Sequence, residues 1–388
     1  MTRPLLNRRL DGLGNSIFGV MSARAVATNS VNLGQGFPDV DGPPAIAKAA
    51  ADAVMAGRGN QYPPATGIPQ LRRAVTGHQR RFYGLDYDQD TEVLITAGAT
   101  EAIAAALLAL VEPGDEVIAF EPYYDSYVAN IAMAGGVRVP LTLKAPDFRP
   151  DLAKLESLIT SKTRLLLLNS PHNPTGMVLT RDETEAIARI AVDHDLLVIT
   201  DEAYEHLTFG REHIPLATMD GMRGRVVSIG SAGKTFSFTG WKVGWATATP
   251  DLISAVRTTK QFLTFVSSGP FQYAVAEALD LPDRYYTDTA ANLKAKRDLM
   301  TAGLREIGFG VYEPDGTYFI TTDIAPLGEP DAMEFCRGLP DRAGVVAIPS
   351  AVFYDDHPEE GRTLVRFAFC KRPEVLKEAL SRLAVLAR

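Results

Sequence analysis

The stretch RLLLLNSPHNPTGMVLTRDETEAIARIAVDHDLLVITDEAY (164–204) contains two apolar runs separated by a helix-like segment. The runs RLLLLN (164–169) and LLVITD (196–201) are short and largely apolar, as expected for strands that are buried on both faces of a parallel sheet. The segment RDETEAIARIAVDH (181–194) between them is a helix candidate. The stretch therefore predicts two parallel strands joined by a helix, which is the repeating unit of an α/β fold.

The same alternation extends on both sides of this stretch. A further helix candidate is EAIAAALLALVE (101–112), and five more strand candidates are EVLIT (92–96), EVIAF (116–120), VRVPLTL (137–143), RVVSIG (225–230) and VGWATAT (243–249). We therefore predict a large α/β domain with a mostly parallel seven-stranded sheet between helices.

The pattern changes after about residue 275. A long helical stretch, TAANLKAKRDLMTAGLREIG, precedes four shorter strand-like runs, FGVYE, TYFITTD, VVAIP and TLVRFAF, and the amphipathic segment PEVLKEALSRLAVLAR follows. This pattern predicts a smaller α+β domain. We expect a large domain at residues 46–275, a small C-terminal domain at 276–388, and an N-terminal segment at 1–45 that packs on the small domain.

Composition excludes several classes of protein. The chain has 388 residues and a net charge of −8, which argues against a general nucleic-acid binder, because such proteins normally carry a basic face. With only two cysteines and no Cys/His cluster at metal-ligand spacing, neither a disulfide framework nor a metal site is predicted. The N-terminus has no apolar signal region, and the longest apolar run, Ala102 to Val111, is too short to span a bilayer. We therefore predict a soluble cytoplasmic protein.

In an open parallel sheet, ligands bind beyond the carboxyl ends of the strands, so the residues that follow each strand are candidates for a site. After EVLIT comes AGATEAI (97–103), in which Gly98 provides a turn and Thr100 is a plausible N-cap. The N-terminus of the next helix is a potential anion site, since it offers free N–H groups and a positive dipole end. The alternative is that these residues only begin a helix.

Three other strand ends carry polar or aromatic groups. Asp201 ends an apolar strand, so we expect its carboxylate in a crevice of low polarity, where it needs a partner. Tyr204, three residues later, can face the same pocket if a helical turn begins there. The stretch EPYYDSY (121–127) offers flat rings for stacking, and SPHNPTG (170–176) is a turn that presents Asn173 and His172. Taken singly, each has an ordinary structural explanation. Asp201 could form a salt bridge or cap a helix, the tyrosines of EPYYDSY could be ordinary interface aromatics, and SPHNPTG could be only a turn.

The stretch SAGKTFSFTGWKVGW (231–245) follows the strand RVVSIG and contains Ser231, Lys234 and Lys242. Its GKT resembles part of a phosphate-binding P-loop. That motif requires a glycine five residues before the Gly-Lys pair, and position 228 is serine. Lys234 is therefore either a solvated surface lysine or a nucleophile, and the other strand ends must decide between these two.

One ligand satisfies all of these strand ends. Pyridoxal 5'-phosphate has a phosphate, a flat ring, a ring nitrogen and an aldehyde; a lysine forms the Schiff base, and an acidic residue pairs with the ring nitrogen. Lys234 is the candidate for the aldehyde and Asp201 for the ring nitrogen. Because a catalytic lysine must act as a base, we expect burial and a nearby cation such as Lys242 to lower the pKa of Lys234.

These residues resemble the fold-type I pyridoxal-phosphate-dependent aminotransferases of class I/II. The resemblance covers nearly the whole chain and the motifs stand in the family's order. They are NLGQGFPD (32–39), NQYPP (60–64), AGATEAI (97–103), EPYYDSY (121–127), NSPHNPTG (169–176), TDEAYEHL (200–207), SAGKTFSFTGWKVGW (231–245) and LVRFAF (364–369). The resemblance implies the fold of that family and an enzyme with pyridoxal phosphate as its cofactor.

The resemblance also implies roles for single residues. Lys234 is implied to carry the Schiff base and to move the proton, and Asp201 to pair with the ring nitrogen. Asn173 and Tyr204 match hydrogen-bond partners of the cofactor's phenolic oxygen, and Tyr124 matches the ring that stacks on the cofactor. Ala99, Thr100, Ser231 and Lys242, beside Gly98, match residues that contact the cofactor's phosphate. Tyr62 matches a residue that reaches the phosphate from a neighbouring subunit, which implies a homodimer. Arg366 matches the arginine that clamps the substrate α-carboxylate, and Gly36 matches the loop residue that closes over that carboxylate.

The chain departs from many relatives at Lys242, where they have arginine. The form GWKVGW is similar to the branch of kynurenine/glutamine aminotransferases, cysteine-conjugate β-lyases and N-succinyldiaminopimelate aminotransferases. The resemblance thus implies transamination between an amino acid and a 2-oxo acid such as 2-oxoglutarate. The donor is either N-succinyl-LL-2,6-diaminopimelate or an amino acid of the kynurenine, glutamine or methionine type. We expect Phe18, Tyr124 and Phe265 to contribute to this specificity.

Two alternatives remain open on the sequence alone. The same scaffold could release pyruvate from a cysteine conjugate by β-elimination. A non-catalytic regulator that binds the cofactor is a second alternative, although such proteins usually carry a DNA-binding segment, and both Lys234 and Asp201 are present here.

Overall fold

The computed structural model describes residues 5–13 and 17–387. The helices are α1 Ile17–Ala27, α2 Pro44–Met55, α3 Pro69–Tyr83, α4 Gly98–Leu110, α5 Asp125–Ala134, α6 Leu152–Ser157, α7 Arg181–Asp193, α8 Ala232–Thr235, α9 Pro250–Lys260, α10 Gly269–Leu279, α11 Asp283–Ile307, α12 Ala332–Ala343 and α13 Pro373–Leu383. The strands are β1 Val31–Asn32, β2 Val93–Thr96, β3 Glu116–Glu121, β4 Val137–Thr142, β5 Thr163–Asn169, β6 Leu197–Asp201, β7 Val226–Ser231, β8 Gly244–Thr247, β9 Gly310–Tyr312, β10 Phe319–Asp323, β11 Val345–Val346, β12 Ile348–Pro349 and β13 Leu364–Ala368.

The large sheet has seven strands in the order β2-β8-β7-β6-β5-β3-β4. All neighbours pair in parallel except β8, which runs antiparallel to both β2 and β7. The seven predicted strands form this sheet, so the prediction of a mostly parallel seven-stranded sheet between helices is confirmed.

The apolar runs form strands because both faces of the sheet are covered. β5 and β6 are buried along most of their length, and side chains of opposite faces belong to two different apolar clusters, one with Leu166 and Val198 and the other with Leu167 and Ile199. The edge strand β4 is less buried and contains Pro140, a residue that lacks the N–H a central strand would need. The helix α7 starts where predicted, at a capping box formed by Thr180 and Glu183.

A second sheet is antiparallel and has four strands in the order β12-β13-β10-β9. Its core includes α11, α12 and α13 together with the N-terminal residues Met21, Ala25 and Leu33. β1 also pairs in parallel with β11. The N-terminal segment is thus attached to the C-terminal part of the chain, and the smaller α+β unit of the predicted fold class is confirmed.

The boundaries of the predicted domains stay a prediction. Residue 275 lies inside α10, which packs on α2 and α3 in the same apolar cluster. We propose that the break falls within α11, because Tyr286 still belongs to this cluster and Leu293 belongs to the second core.

One local prediction was wrong. Thr100 is not an N-cap, because α4 already begins at Gly98, and Ala97 occupies the cap position without a side-chain hydrogen bond. The backbone N–H of Ala97 instead donates to the carboxylate of Glu101, at 2.6 Å.

Among the described residues, no helix is long and apolar enough to cross a membrane.

Candidate active site

A cavity of about 340 Å³ lies beyond the carboxyl ends of β5, β6 and β7, at the place where ligands bind in open α/β sheets. The three strands end at Asn169, Asp201 and Ser231. The sequence-predicted residues that line the cavity are Phe18, Gly36, Gly98, Ala99, Thr100, Tyr124, Asn173, Asp201, Tyr204, Ser231, Lys234, Lys242 and Arg366.

Asp201 is a buried carboxylate with two donors. The hydroxyl of Tyr127 donates to Oδ2 at 2.7 Å, and the backbone N–H of Ala203 donates to Oδ1 at 3.1 Å. Burial raises the pKa of Asp201, and these two hydrogen bonds and the Lys234 charge act against that rise. The carboxylate is therefore held in a fixed orientation in an environment that favours a cationic partner.

Lys234 lies on the short helix α8, which follows directly after β7. The pKa of its amine is lowered to about 8, mainly by burial and also by the charges of Lys242 and Arg366, whereas Cys370 and Asp201 oppose the shift. The direction and the two causes agree with the prediction from the sequence. An amine with such a pKa has a substantial neutral fraction near physiological pH, so it can serve as a nucleophile and a base.

The amine of Lys234 also contacts the backbone of the N-terminal segment. Its Nζ donates to the carbonyl of Gly36 at 3.4 Å, and the hydroxyl of Tyr318 donates to the same carbonyl at 2.5 Å. Position 36 requires glycine, because a Cβ there would lie 2.4 Å from the ring of Phe319. The closely packed loop places its carbonyl at the predicted nucleophile.

The N-terminus of α4 forms an anion cradle with Lys242. Gly98 has φ +79, and a Cβ on it would lie 3.2 Å from the Lys242 amine. Lys242 itself has φ 54, a left-handed conformation that is uncommon for lysine and that orients its side chain towards this helix end. Ala99, Thr100 and Ser231 line the same part of the cavity. The cradle combines free helix N–H groups with a cation, which suits a phosphate.

Arg366 lies on β13 and is 1% exposed. Its Nη1 donates to Oδ1 of Asn173 at 2.9 Å and its Nη2 to the carbonyl of Gly34 at 3.0 Å, while its Nε is buried without a partner. Aromatic rings surround the guanidinium, with the ring centroid of Phe319 at 4.0 Å and that of Phe18 at 5.1 Å. Burial lowers the pKa of Arg366 to about 10. No carboxylate among the described residues forms an ion pair with it, so this buried cation lacks an anion.

Tyr124 and Tyr204 contribute aromatic walls to the cavity. The ring of Tyr124 is partly buried and meets Tyr127 edge-on, with centroids 5.9 Å apart. The ring of Tyr204 is buried and meets Tyr318 edge-on at 5.4 Å. Tyr204 lies in a turn that follows β6, which agrees with the prediction that it faces the same pocket as Asp201.

Three predicted residues do not line this cavity. Tyr62 is 82% exposed and packs edge-on against Phe265, which is also exposed, with ring centroids 5.6 Å apart. His172 was expected to be presented by the turn after β5. It is instead buried against Thr175, with 2.7 Å between Nδ1 and Oγ1, because the turn folds back on itself. Burial lowers the pKa of His172 to about 3, so it is a neutral structural residue.

The structure adds residues that the sequence analysis did not assign. Asn169 stands opposite Asp201 in the strand register; its Nδ2 donates to the Asp201 carbonyl at 2.8 Å and its Oδ1 accepts from the backbone N–H of Asn173 at 2.7 Å. Asn169 thereby connects two residues of the predicted site. The sequence could have indicated Asn169, because it is the last residue of a predicted strand. No feature of the sequence indicates that Tyr127 contacts Asp201.

The comparison with known proteins decides the family. Residues 28–383 match the model of "Aminotransferase class I and II". The chain belongs to this family. It is 52% identical to the probable N-succinyldiaminopimelate aminotransferase of Mycobacterium tuberculosis, with 98% of each chain covered. It is 39% identical to the methionine aminotransferase of Escherichia coli, with 97% of each covered, and 37% identical to kynurenine–oxoglutarate transaminase 3 of Rattus norvegicus, with 96% and 88% covered.

Solved structures agree with this assignment. The structure of the N-succinyldiaminopimelate aminotransferase from Mycobacterium tuberculosis superimposes with a TM-score of 0.95, covering 98% of this chain and all of that one. The chain is thus a pyridoxal-phosphate-dependent aminotransferase of fold type I. The cavity fits the cofactor, because it offers an anion cradle, a buried carboxylate and an amine of lowered pKa.

Proposed function

We propose that this aminotransferase moves the amino group of N-succinyl-LL-2,6-diaminopimelate to 2-oxoglutarate. The observation that supports this donor is the 52% identity, over 98% of the chain, to the probable N-succinyldiaminopimelate aminotransferase of Mycobacterium tuberculosis. Relatives named for methionine and kynurenine are 39% and 37% identical, so these amino acids are the donors to compare with it.

We propose that Lys234 holds the cofactor through a Schiff base and moves the substrate's α-proton when it is released. Bound pyridoxal phosphate supplies an aldehyde for amine exchange and a ring that accepts electrons from the substrate carbon. The lowered pKa of the Lys234 amine supports both roles, since only the neutral amine attacks a carbonyl or accepts a proton. The Gly36 carbonyl is a hydrogen-bond acceptor within reach of the released amine.

Asp201 is proposed to keep the ring nitrogen protonated, which makes the ring a better acceptor of electrons. Its burial and the donors Tyr127 and Ala203 support this role, because they fix an anion at a place where its natural partner is a cation. Asn173 and Tyr204 are proposed to contact the phenolic oxygen, and Tyr124 to stack on the ring. All three line the cavity with Asp201.

The substrate α-carboxylate is proposed to bind Arg366. A buried guanidinium with an unpartnered Nε and no ion-paired carboxylate among the described residues supports this role most directly. The planar fork of an arginine binds a carboxylate through two parallel hydrogen bonds. Gly36 is proposed to close over the same carboxylate, because its loop touches both Lys234 and Phe319.

The phosphate is proposed to bind at the start of α4, with Gly98, Ala99, Thr100, Ser231 and Lys242 around it.

We further propose a homodimer in which Tyr62 reaches the phosphate of the partner's site. The exposed aromatic pair of Tyr62 and Phe265, together with the exposed Phe262 nearby in sequence, supports such an interface, since exposed aromatics favour association. The two cysteines, Cys336 and Cys370, are unpaired and buried, which is compatible with the reducing cytoplasm that we propose as its location.

The donor is tested by comparing N-succinyl-LL-2,6-diaminopimelate with methionine, kynurenine and glutamine as donors to 2-oxoglutarate. We expect the succinylated donor to give the highest kcat/KM. A higher kcat/KM for another donor would contradict the proposed substrate but not the aminotransferase activity. Pyruvate release from a cysteine conjugate without an oxo acid serves as the assay for the alternative β-elimination.

A further inference from the structure

A second cavity, of about 580 Å³, also reaches Lys234. Its lining comes from the segment that precedes α2, from Lys234 and Ser237, from the first turns of α11 with the two residues before them, and from Tyr318 and Cys370 near the antiparallel sheet. The cavity lies where these parts meet, and neither the cofactor site nor the proposed substrate site includes its residues other than Lys234.

Lys296 is the unusual residue of this cavity. It lies on α11 and is 8% exposed, yet it has no hydrogen bond or ion pair with any residue that the structure describes. By contrast, its neighbour Lys294 on the same helix is exposed and pairs with Asp298 at 2.9 Å. Burial lowers the pKa of the Lys296 amine. The side chain of Lys296 is thus largely buried, while its unpaired amine lines the cavity and is available to a ligand that supplies an anion.

The charges around Lys296 define where an anion can bind. Asp39, which lies between the lining residues Pro38 and Val40, accepts from the backbone N–H of Arg372 at 2.7 Å, and its charge opposes the lowering of the Lys296 pKa. Lys371, next to the lining residue Cys370, is buried and donates to the carbonyl of Phe37 at 2.7 Å. The exposed lining residues Asp41, Asp288 and Arg284 lie on the solvent side, and Glu374 acts on Lys296 from outside the cavity. The buried end is thus cationic.

The walls between these charges are largely apolar. They include Pro43, Pro44, Leu281, Leu293 and the ring of Tyr318. The volume exceeds that of an inorganic ion, and apolar walls with one buried charge are typical of a site for an organic ligand.

We propose that this cavity is a second ligand site, which binds a small organic carboxylate with its head group on Lys296 and its apolar body against the proline and leucine walls. The site is separate from Arg366, which is proposed to take the substrate carboxylate. It does not depend on which amino donor the enzyme uses.

The probe is 4-bromobenzoate, which combines a carboxylate, an apolar ring and an anomalous scatterer. Crystals of the cofactor-loaded enzyme soaked in this compound are expected to show an anomalous bromine peak inside the cavity, with the carboxylate at the Lys296 amine. Titration calorimetry on the same protein measures the affinity. The Lys296→Met variant is expected to bind at least about tenfold more weakly at this site, because the ionic partner is lost.

Two variants make the result specific. Lys296→Arg keeps the charge and is expected to retain binding, and Lys294→Met, the matched change on the exposed face of α11, is expected to bind like the unchanged enzyme. The proposal is overturned by a bromine peak that appears only at Arg366, by the absence of binding, or by equal affinity of Lys296→Met. Because turnover is not the readout, these outcomes are independent of the donor assay.

Discussion

Arg366 on β13 donates from Nη1 to the side-chain oxygen of Asn173 at 2.9 Å, which ties the small antiparallel sheet to the loop after β5. The same guanidinium is proposed to hold the substrate α-carboxylate. Both functions need the fork of arginine, because Nη1 donates to Asn173 and Nη2 to the carbonyl of Gly34, while Nε has no partner and remains for a ligand.

Replacing Arg366 with lysine is therefore expected to raise KM strongly and to lower kcat/KM by about 100-fold, or ~3 kcal/mol, because a lysine cannot make the paired hydrogen bonds. Steady-state kinetics with the amino donor measure this. The matched control is Arg362→Lys, since the side chain of Arg362 is exposed and its guanidinium donates to the carbonyl of Pro330. Unchanged KM in the Arg366 variant would remove the proposed carboxylate site.

Changing Tyr127 to phenylalanine removes the hydroxyl that donates to Asp201. That hydrogen bond lowers the pKa of Asp201, so its loss raises the pKa further and the carboxylate ionises only at higher pH. We expect kcat/KM to fall by roughly tenfold near neutral pH, with the acid limb of its pH profile moved upward. Tyr123→Phe is the control, because its hydroxyl contacts Asp355 instead. An unmoved acid limb in the Tyr127 variant would contradict the coupling.

Burial and the charge of Lys242 both contribute to the lowering of the pKa of Lys234 to about 8. In the cofactor-free protein we expect reductive methylation of Lys234 to rise with pH around 8 rather than 10.5. Lys242→Met removes a nearby cation, so the pKa of Lys234 rises and the midpoint moves to higher pH. Peptide mass spectrometry follows the modification, and the exposed Lys144 serves as the internal reference. A midpoint that Lys242→Met leaves in place would show that the two amines do not interact.

The shared site of the proposed homodimer is tested by mixing two inactive variants. Lys234→Ala disables its own subunit, and Tyr62→Ala disables the site of its partner. A mixed dimer then contains one intact site, so refolding an equal mixture is expected to restore about a quarter of the unchanged activity. If the mixture stays as inactive as the separate variants, Tyr62 does not act across a subunit boundary.

The strand pattern predicted the large sheet well, because its strands are buried on both faces and their ends carry the polar residues of the site. Asp201 is the clear example, as it ends β6 and faces the cavity. Loop geometry was harder to predict. The sequence offered His172 and Asn173 together, but the turn buries the first against Thr175 and leaves only the second in the cavity.

Contacts between distant segments could not be predicted from local pattern. Tyr127 meets Asp201 across 74 residues, and the choice among the tyrosines of EPYYDSY depends on how α5 begins. Thr100 was misplaced for a related reason, since Gly98, with its left-handed φ of +79, allows α4 to start three residues earlier than a cap at Thr100 would. The unpaired state of Lys296 likewise depends on chain segments that are distant in sequence and meet only in the folded protein.

The central claim is that Lys234 carries the cofactor. The most direct measurement is borohydride reduction of the protein loaded with pyridoxal phosphate, followed by digestion and mass spectrometry of the labelled peptide. The account predicts one phosphopyridoxyl group per chain, attached to Lys234, and none on the Lys234→Ala variant. Label on Lys242 or another lysine, or no label at all, would contradict it.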